Sequence, residues 1–426
     1  MTSSTLKTDL ISKPLFSFAF SQERLESLLI AAMNHLHRGK LTVNFPSGRA
    51  YSLSGSQDLI DGEEFHAIFQ LKSYWAIRRI LRGQAVGFAE AYMEGELDSP
   101  DLTQLLELMA CNMDAMEAAL QDWSVVRTWN RVQHMLRANT RRGSRRNIAY
   151  HYDLGNDFYE LWLDSSMTYS SGIFDEQHQD LAAAQENKYR QLAEKLELEP
   201  HHRVLEIGCG WGGFAEFAAM NYGCKIVCLT LSREQLAYAQ ERIDRAGLSG
   251  QVEFRLQDYR DVTGQFDRIV SVEMFEAVGE EHWATYFEQV RRCLSPGGRA
   301  GLQIISIAND RYDGYRDTAD FIQKYIFPGG MLPSPEKLDR HFASAGLLKI
   351  GQSNFGASYA RTLEIWRRKF LSNWDSIASL GYSIKFRRMW EYYLCYCEAG
   401  FRRDTIDVGH YFLQKKDDDG FSAGSI

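Results

Sequence analysis

The chain of 426 residues has no apolar run that reaches the roughly 18 residues of a membrane-spanning helix. Its first residues also lack the basic start and long apolar core of a secretory signal peptide, because the apolar stretch 14–20 is too short. The formal net charge of -8 argues against a general nucleic-acid binder. These absences predict a cytoplasmic globular protein that binds no nucleic acid.

Cysteine is scarce, and the seven cysteines of a chain without an export signal are expected to be reduced. Two pairs lie close in sequence, Cys224 with Cys228 and Cys395 with Cys397. Neither pair has the companion cysteines or histidines of a zinc site. We therefore expect small core residues here and no bound metal.

Acidic residues are absent between Asp122 and Asp153, a stretch that holds seven arginines and two tryptophans. This stretch is either a solvated linker between domains or a patch that contacts anionic lipid headgroups. The second interpretation has a physical basis, because each basic residue near a membrane surface contributes about 1 kcal/mol of binding free energy. Interleaved tryptophans also suit an interfacial segment. The arginines are Arg127, Arg131, Arg137, Arg141, Arg142, Arg145 and Arg146.

A short apolar run, 204–207, leads into a glycine-rich loop and then into a helical pattern over 214–220. Such a run predicts a buried parallel strand. Gly208, Gly210 and Gly212 would let the chain turn tightly and let a ligand approach the backbone closely. The pattern therefore predicts a nucleotide-like cofactor at this strand-to-helix turn.

The next strand ends in Thr230-Leu-Ser232 without the acidic residue that dinucleotide-binding folds place about 20 residues after the loop. Glu206 lies instead inside the first strand, just before the glycines. S-adenosylmethionine has no pyrophosphate, and its sulfonium and amino groups are cationic, so a nearby carboxylate suits it. The loop favours S-adenosylmethionine over a nicotinamide dinucleotide.

Strand and helix patterns alternate in the second part of the chain, which predicts an α/β fold. Five parallel strands followed by two late ones match the doubly wound, Rossmann-like seven-stranded sheet of class I methyltransferases. In such sheets ligands bind beyond the carboxyl ends of the strands. The predicted strands are 203–207, 225–229, 252–256, 266–272, 299–306, 347–351 and 407–413.

The first part of the chain carries no recognisable chemistry, and we expect a smaller α/β accessory domain over 1–135 that interacts with lipid. Alternation over 41–53 predicts a hairpin, and helical spacing is expected over 67–93. A basic linker would extend to about residue 150, and the methyltransferase domain would occupy 136–426.

Six ordered blocks outside the glycine loop are more distinctive than the loop itself. They are His151-Tyr-Asp-Leu-Gly-Asn-Asp-Phe-Tyr159, Thr168-Tyr-Ser-Ser-Gly-Ile-Phe174, Leu256-Gln-Asp-Tyr-Arg-Asp261, Phe266-Asp-Arg-Ile-Val-Ser-Val-Glu-Met-Phe-Glu-Ala-Val-Gly279, Gln323-Lys-Tyr-Ile-Phe-Pro-Gly-Gly-Met-Leu-Pro-Ser334 and Asn354-Phe-Gly-Ala-Ser-Tyr359. Together they resemble the cyclopropane fatty acid synthase family of methyltransferases, and the resemblance extends over residues 85–415.

The resemblance implies a reaction. S-adenosylmethionine would donate its methyl group to a cis double bond in a phospholipid acyl chain, leaving a carbocation. A base would then remove a proton from the added methyl group so that a cyclopropane ring closes. Members of the family bind a bicarbonate ion that serves as this base.

The resemblance also implies which residues contact the cofactor. Tyr169 and Ser170 would touch it, and the glycine loop would lie under its methionine part. Thr230 and Gln235 would face the ribose. Asp258 and Tyr259 would lie near the adenine.

Around the reacting centre the family uses a cysteine backbone, a glutamate, a histidine, an isoleucine backbone and a tyrosine. Glu276, Ile305 and Tyr359 match this set, whereas Ser171 stands in place of the cysteine and Gln303 in place of the histidine. A main-chain contact survives the change to serine. Glutamine can donate a hydrogen bond to an anion but cannot share a proton near neutral pH as histidine does. A bicarbonate site would therefore be weakened, and either a cyclopropane or a methyl- or methylene-branched product is expected.

Cys397 matches a cysteine that descriptions of the family have offered as catalytic. A thiolate has no evident role in methyl transfer to an alkene, so a structural role is favoured.

The expected partners are a phospholipid surface, to which the protein would bind peripherally at the inner face of the membrane, and its unsaturated acyl chains. Two alternatives remain at this stage, a methyltransferase for a soluble small molecule and a catalytically inactive lipid-binding relative. The sequence leaves open whether the chain forms a homodimer.

Overall fold

The computed structural model describes residues 20–57, 59–113, 154–318 and 320–416. The arginine-rich stretch, the first three residues of the block that starts at His151 and the predicted domain boundary lie outside these residues. In the first described part the elements are α1 (Gln22–Met33), β1 (Lys40–Asn44), β2 (Ala50–Ser54), β3 (Leu59–Ile60), β4 (Glu63–Glu64), β5 (His66–Leu71), α2 (Tyr74–Met93), β6 (Leu97–Asp98) and α3 (Leu102–Cys111).

This N-terminal unit contains a four-stranded sheet in the order β2-β1-β5-β6. β1 pairs antiparallel with β2, which confirms the predicted hairpin, and parallel with β5. The prediction of helix from residue 67 was wrong at its start. Residues His66–Leu71 alternate between exposed or half-buried and buried positions, which is the strand period. The helix begins only after Ser73, whose hydroxyl caps it by accepting from the Trp75 N–H.

The remaining elements alternate as the sequence predicts. They are α4 (Asn156–Glu160), α5 (Leu181–Lys195), β7 (Arg203–Ile207), α6 (Gly213–Tyr222), β8 (Lys225–Thr230), α7 (Arg233–Arg245), β9 (Val252–Leu256), β10 (Phe266–Val272), α8 (Trp283–Cys293), β11 (Leu294–Ile307), α9 (Tyr312–Asp317), α10 (Pro335–Ser344), β12 (Leu347–Asn354), α11 (Gly356–Ser372), α12 (Trp374–Ser379), α13 (Ile384–Arg402) and β13 (Ile406–Lys415).

A seven-stranded sheet in the order β12-β13-β11-β10-β7-β8-β9 forms the centre of this part. The neighbouring strands from β11 to β9 pair in parallel, and β13 runs antiparallel to both of its neighbours. Side chains of β7 alternate between two buried clusters, with Val204 in one and Leu205 and Ile207 in the other. Helices cover both faces of the sheet because strands buried on both sides need apolar partners on each. The predicted α/β sheet is confirmed.

The N-terminal unit and the last helices of the chain share one hydrophobic core. Phe88 of α2 and Leu105 of α3 belong to the same buried cluster as Trp366 of α11 and Leu394 of α13. Buried ion pairs join the same helices, because Glu107 of α3 meets the guanidinium of Arg403 just after α13. The N-terminal unit therefore supports the helices behind the sheet.

All seven cysteines are free thiols, as predicted. Across the described residues, no helix combines the length and the apolar character that crossing a bilayer requires.

Candidate active site

The glycine loop joins β7 to α6 and is held against the neighbouring strand. The N–H groups of Gly208 and Cys209 donate to the carbonyl oxygen of Leu229 at 3.0 and 2.9 Å. Gly208 has a φ of 83°, and a Cβ placed on it would lie 2.6 Å from Cγ of Met274. A Cβ on Gly210 would meet no atom within 4 Å. The loop is thus packed at its start and open at Gly210, where a ligand can approach the backbone.

Glu206 lies beneath this loop, inside β7. Its carboxylate accepts from the thiol of Cys228 at 3.4 Å, and burial raises the pKa of Glu206 to about 8. A cation bound nearby would favour the ionised carboxylate. This environment fits the cationic groups of S-adenosylmethionine.

Residues predicted to face the ribose and adenine follow the ends of β8 and β9. The Thr230 hydroxyl donates to the side-chain oxygen of Gln235 at 3.1 Å. Asp258 is buried, and the guanidinium of Arg260 donates to its two carboxylate oxygens at 2.9 and 2.7 Å. Tyr259 is half-buried, and the guanidinium of Arg260 lies 5.6 Å from the centroid of its ring. These residues meet at the carboxyl edge of the sheet, where the fold places its ligands.

Tyr169 and Ser170 belong to the loop that precedes α5. The hydroxyls of Tyr169 and Tyr393 lie 2.8 Å apart, which ties this loop to α13. The buried Lys188 of α5 donates from Nζ to the hydroxyl of Ser170 at 2.6 Å. Burial lowers the pKa of Lys188 to about 7.

The reacting centre that the sequence predicts is assembled around one carboxylate, that of Glu273. One of its oxygens accepts from the Ser171 N–H at 2.8 Å and from Nε2 of Gln303 at 2.6 Å. The other accepts from the hydroxyl of Tyr359 at 2.6 Å. Burial raises the pKa of Glu273, whereas the hydrogen bond from Tyr359 and the charge of Lys188 oppose that change. Three predicted residues therefore meet at a fourth that the sequence did not single out for catalysis.

Glu276 follows Glu273 by three residues and makes the remaining predicted contact. Its Oε1 accepts from the Ile305 N–H at 2.6 Å, and its buried Oε2 has no hydrogen-bond partner among the described residues. Burial, and then the charge of Glu273, raise the pKa of Glu276 to about 8. The site thus holds two carboxyl groups in different hydrogen-bonding environments.

Gln303 is oriented from behind by His410 of β13. Nε2 of His410 lies 3.0 Å from the side-chain oxygen of Gln303 and is fully buried. Because the Gln303 amide nitrogen donates to Glu273, its oxygen must be the acceptor, so His410 carries its proton on Nε2. Burial lowers the pKa of His410 to about 3, which keeps the ring neutral.

These bonds test whether bicarbonate fits the cradle that the resemblance implies. The donors are the Ser171 and Ile305 N–H groups, the Gln303 amide and the Tyr359 hydroxyl, and each bonds a carboxylate of the chain itself. The Gln303 amide nitrogen also lies 3.5 Å from the carbonyl oxygen of Ser171. No donor of the set remains for a second anion, so the residues present do not fit bicarbonate.

Cys397, a partly buried free thiol of α13, takes part in none of the hydrogen bonds that hold this constellation together. Burial raises the pKa of its thiol far above the usual range, which keeps it protonated. A neutral thiol is a poor nucleophile and a poor base. Its environment agrees with the structural interpretation.

Sequence reasoning assigned no role in the site to Glu273, Lys188 or His410. Glu273 carried a signal, since it is an acidic residue directly after β10, at the edge where ligands bind. Lys188 and His410 lie inside ordinary helix and strand patterns, and nothing in the sequence marks them.

Comparison with known proteins identifies the family. The family described as mycolic acid cyclopropane synthetase matches residues 139–411. The tuberculostearic acid methyltransferase UfaA1 of Mycobacterium tuberculosis is 40% identical over 346 residues, which are 79% of this chain and 80% of that protein. The cyclopropane-fatty-acyl-phospholipid synthase of Escherichia coli is 39% identical over 335 residues, 78% of this chain and 83% of that protein.

A solved structure agrees with these matches. The mycolic acid cyclopropane synthase CmaA1 complexed with SAH and CTAB is similar with a TM-score of 0.60 and 29% identity, covering 64% of this chain and 98% of that one. The likeness confirms the class I methyltransferase fold. The chain therefore belongs to the mycolic acid cyclopropane synthetase family and is an S-adenosylmethionine-dependent methyltransferase.

Proposed function

We propose that this enzyme transfers the methyl group of S-adenosylmethionine to a cis double bond of an unsaturated acyl chain in a phospholipid. The observation that carries the proposal is the carboxylate of Glu273, held by three donors at the sheet edge that also carries the glycine loop. An alkene attacks with its own π electrons and needs no base beforehand. The cation that results needs a negative charge nearby and a proton acceptor afterwards, and this site offers both.

Aromatic side chains around the carboxylate support the same chemistry. The ring of Tyr359 packs against Phe401 with centroids 4.4 Å apart, and Tyr169 packs against Trp366 at 5.3 Å. Aromatic faces attract cations and give acyl chains an apolar surface. A soluble polar substrate would gain little from these surroundings.

Two product classes follow from one cation. Loss of a proton from the added methyl group with ring closure gives a cyclopropane. A 1,2-hydride shift that moves the positive charge to the methyl-bearing carbon, followed by loss of a methyl proton, gives a methylene branch. Loss of a proton from the chain gives a methyl branch beside a new double bond. The two relatives of nearly equal identity are named for a cyclopropane product and for tuberculostearic acid.

The test uses S-adenosylmethionine with a fully deuterated methyl group and vesicles of cis-monounsaturated phospholipid. Mass spectrometry and proton NMR of the recovered acyl chains should show the label. Two retained deuteriums with cyclopropane signals mean ring closure, and two with an exocyclic alkene mean a methylene branch. Three with a double bond mean a methyl branch. Label found in added soluble acceptors but not in lipid would refute the proposal.

We also propose that the enzyme binds peripherally to a phospholipid surface. Trp75 at the start of α2 is 61% exposed, and the guanidinium of Arg78 lies 4.8 Å from the centroid of its ring. Exposed Lys72 precedes them. An exposed tryptophan beside basic side chains is typical of an interfacial contact.

Vesicle flotation tests this second proposal. Binding to vesicles with anionic lipid should exceed binding to neutral ones and should weaken as salt rises. Trp75→Ala should reduce it, and so should serine at Arg141, Arg142, Arg145 and Arg146. If both variants float with the vesicles as well as the unchanged enzyme does, these segments do not contact the membrane.

A further inference from the structure

Glu273 has a backbone conformation that residues other than glycine rarely adopt. It follows the last residue of β10, and its N–H donates to the carbonyl oxygen of Gln303 at 2.9 Å. Its φ is 47°, in the left-handed region that glycine enters without strain and glutamate rarely enters. A strained residue persists where surrounding contacts hold it, and such residues concentrate at functional sites.

The contacts that hold Glu273 are those of an anion site. A backbone N–H from Ser171, an amide from Gln303 and a hydroxyl from Tyr359 come from three separate parts of the chain and converge on one carboxylate. These are three of the groups that the sequence resemblance assigns to a bicarbonate ion. The Glu273 carboxylate has the same charge as bicarbonate and a similar planar pair of oxygens.

We propose that the Glu273 carboxylate is the built-in base of this enzyme and acts where related enzymes use bicarbonate. The inference rests on the proposed methyl transfer to an alkene. In the first step the C–S bond of the methyl donor breaks and the π electrons form the new C–C bond, leaving a cation on the other carbon. In the second step the carboxylate takes a proton from the cation. The electrons of that C–H bond close the ring or form the new double bond, and Glu273 becomes a neutral carboxylic acid that later returns the proton to water.

The second carboxyl group fits this division of roles. Glu273 has three donors that favour its ionised form, whereas Glu276 has one, from the Ile305 N–H, and its other oxygen is unpartnered. Two carboxyl groups in such different environments differ in basicity, and the better hydrogen-bonded one holds the charge. Of the two carboxyl groups, Glu273 is therefore the one that holds a negative charge more readily.

The first experiment measures methyl transfer to phospholipid vesicles in buffer freed of carbon dioxide, with and without added bicarbonate. The unchanged enzyme should show the same rate in both. Glu273→Gln should lose roughly 10²- to 10⁴-fold in rate, which is the range that a general base contributes. A base acts on the reaction and not on cofactor binding, so the variant's affinity for S-adenosylhomocysteine, measured by calorimetry, should stay within about threefold. Glu288→Gln, at an exposed position of α8, is the matched control and should keep its rate.

The second variant is Glu273→Gly, which relieves the unfavourable φ and frees the three donors. It should be inactive in bicarbonate-free buffer and should regain activity as bicarbonate, formate or acetate is added. If the recovered rate of methyl transfer saturates as the anion concentration rises, the variant has a binding site for a small anion of this size.

Three results would overturn the inference. They are a rate of the unchanged enzyme that falls on removal of bicarbonate and returns with it, a Glu273→Gln variant that keeps its rate, and a folded Glu273→Gly variant that no small anion rescues. Absence of methyl transfer to lipid by the unchanged enzyme is a different result. It would refute the proposed function, and with it this inference.

Discussion

Replacing Glu276 with glutamine should make the folded protein more stable relative to the unchanged enzyme as the pH rises. Burial raises the pKa of Glu276 from its ordinary 4.5 to about 8. In the unfolded chain the carboxyl group ionises above about pH 4.5, whereas in the fold it stays protonated to about pH 8. Stability from this group is therefore complete below pH 4.5 and is lost as the pH rises to 8. Glutamine is neutral throughout and has no such loss.

The magnitude follows from proton linkage. Each pH unit between the two pKa values costs the unchanged enzyme about 1.4 kcal/mol of unfolding free energy. The variant should gain about 3 kcal/mol relative to it between pH 4.5 and pH 7, and about 4 to 5 kcal/mol by pH 8. These are upper values, because water that reaches the carboxyl group would reduce the shift.

Urea unfolding at several pH values from 5 to 9, followed by circular dichroism without cofactor, measures this difference. The difference between Glu276→Gln and the unchanged enzyme should grow with pH and level off above pH 8. Glu288→Gln, at an exposed position of α8, is the matched control. A constant difference for Glu276→Gln would show that Glu276 ionises in the fold as it does in water, and the burial argument would be wrong.

Three further predictions concern the loop, the helical core and the thiol. Gly208→Ala should weaken S-adenosylhomocysteine binding in calorimetry by about tenfold or more, since the new Cβ meets Met274 at 2.6 Å and left-handed backbone costs about 1 to 2 kcal/mol outside glycine. Glu398→Ala should lower the free energy of unfolding in urea by about 3 to 5 kcal/mol, because it leaves Arg367 without the fully buried carboxylate that it contacts at 2.9 Å. Cys397→Ser should keep the rate of methyl transfer within about threefold, because burial already holds the thiol protonated.

Each of these has a matched control or a contrary outcome. Gly250→Ala adds a Cβ that meets nothing within 4 Å and should leave cofactor affinity unchanged. If Glu398→Ala lowers the free energy of unfolding no more than a substitution at an exposed position does, the ion pair of Glu398 does not contribute to stability. Loss of turnover in a folded Cys397→Ser protein with normal cofactor affinity would give the thiol the catalytic role that its environment argues against.

The sequence by itself determined the architecture. Apolar runs of strand length separated by helical patterns predict a parallel sheet, and this prediction does not depend on knowing which side chains contact each other in the fold. All seven strands of the large sheet were found within a few residues of their predicted bounds, although β11 begins at Leu294, five residues before the predicted 299. The start of α2 was misplaced, because 67–71 and the helix after it are both apolar and only their burial periods differ.

The sequence also determined much of the site's membership. Glu276, Gln303, Ile305, Tyr359 and Ser171 were predicted from the family resemblance, and the structure places them around two carboxyl groups. What the resemblance could not show is which oxygen each donor bonds, since that depends on contacts between β10, β11 and α11.

Only the tertiary structure decided that Glu273 occupies the centre of the donor set. The direction of its side chain depends on a φ of 47°, which pairing with Gln303 and the three donors impose. No local pattern specifies such an angle, because a glutamate after a strand would by itself prefer an extended or helical backbone. His410 supports Gln303 across a strand pair for the same reason, since partners 107 residues apart meet only when the sheet forms.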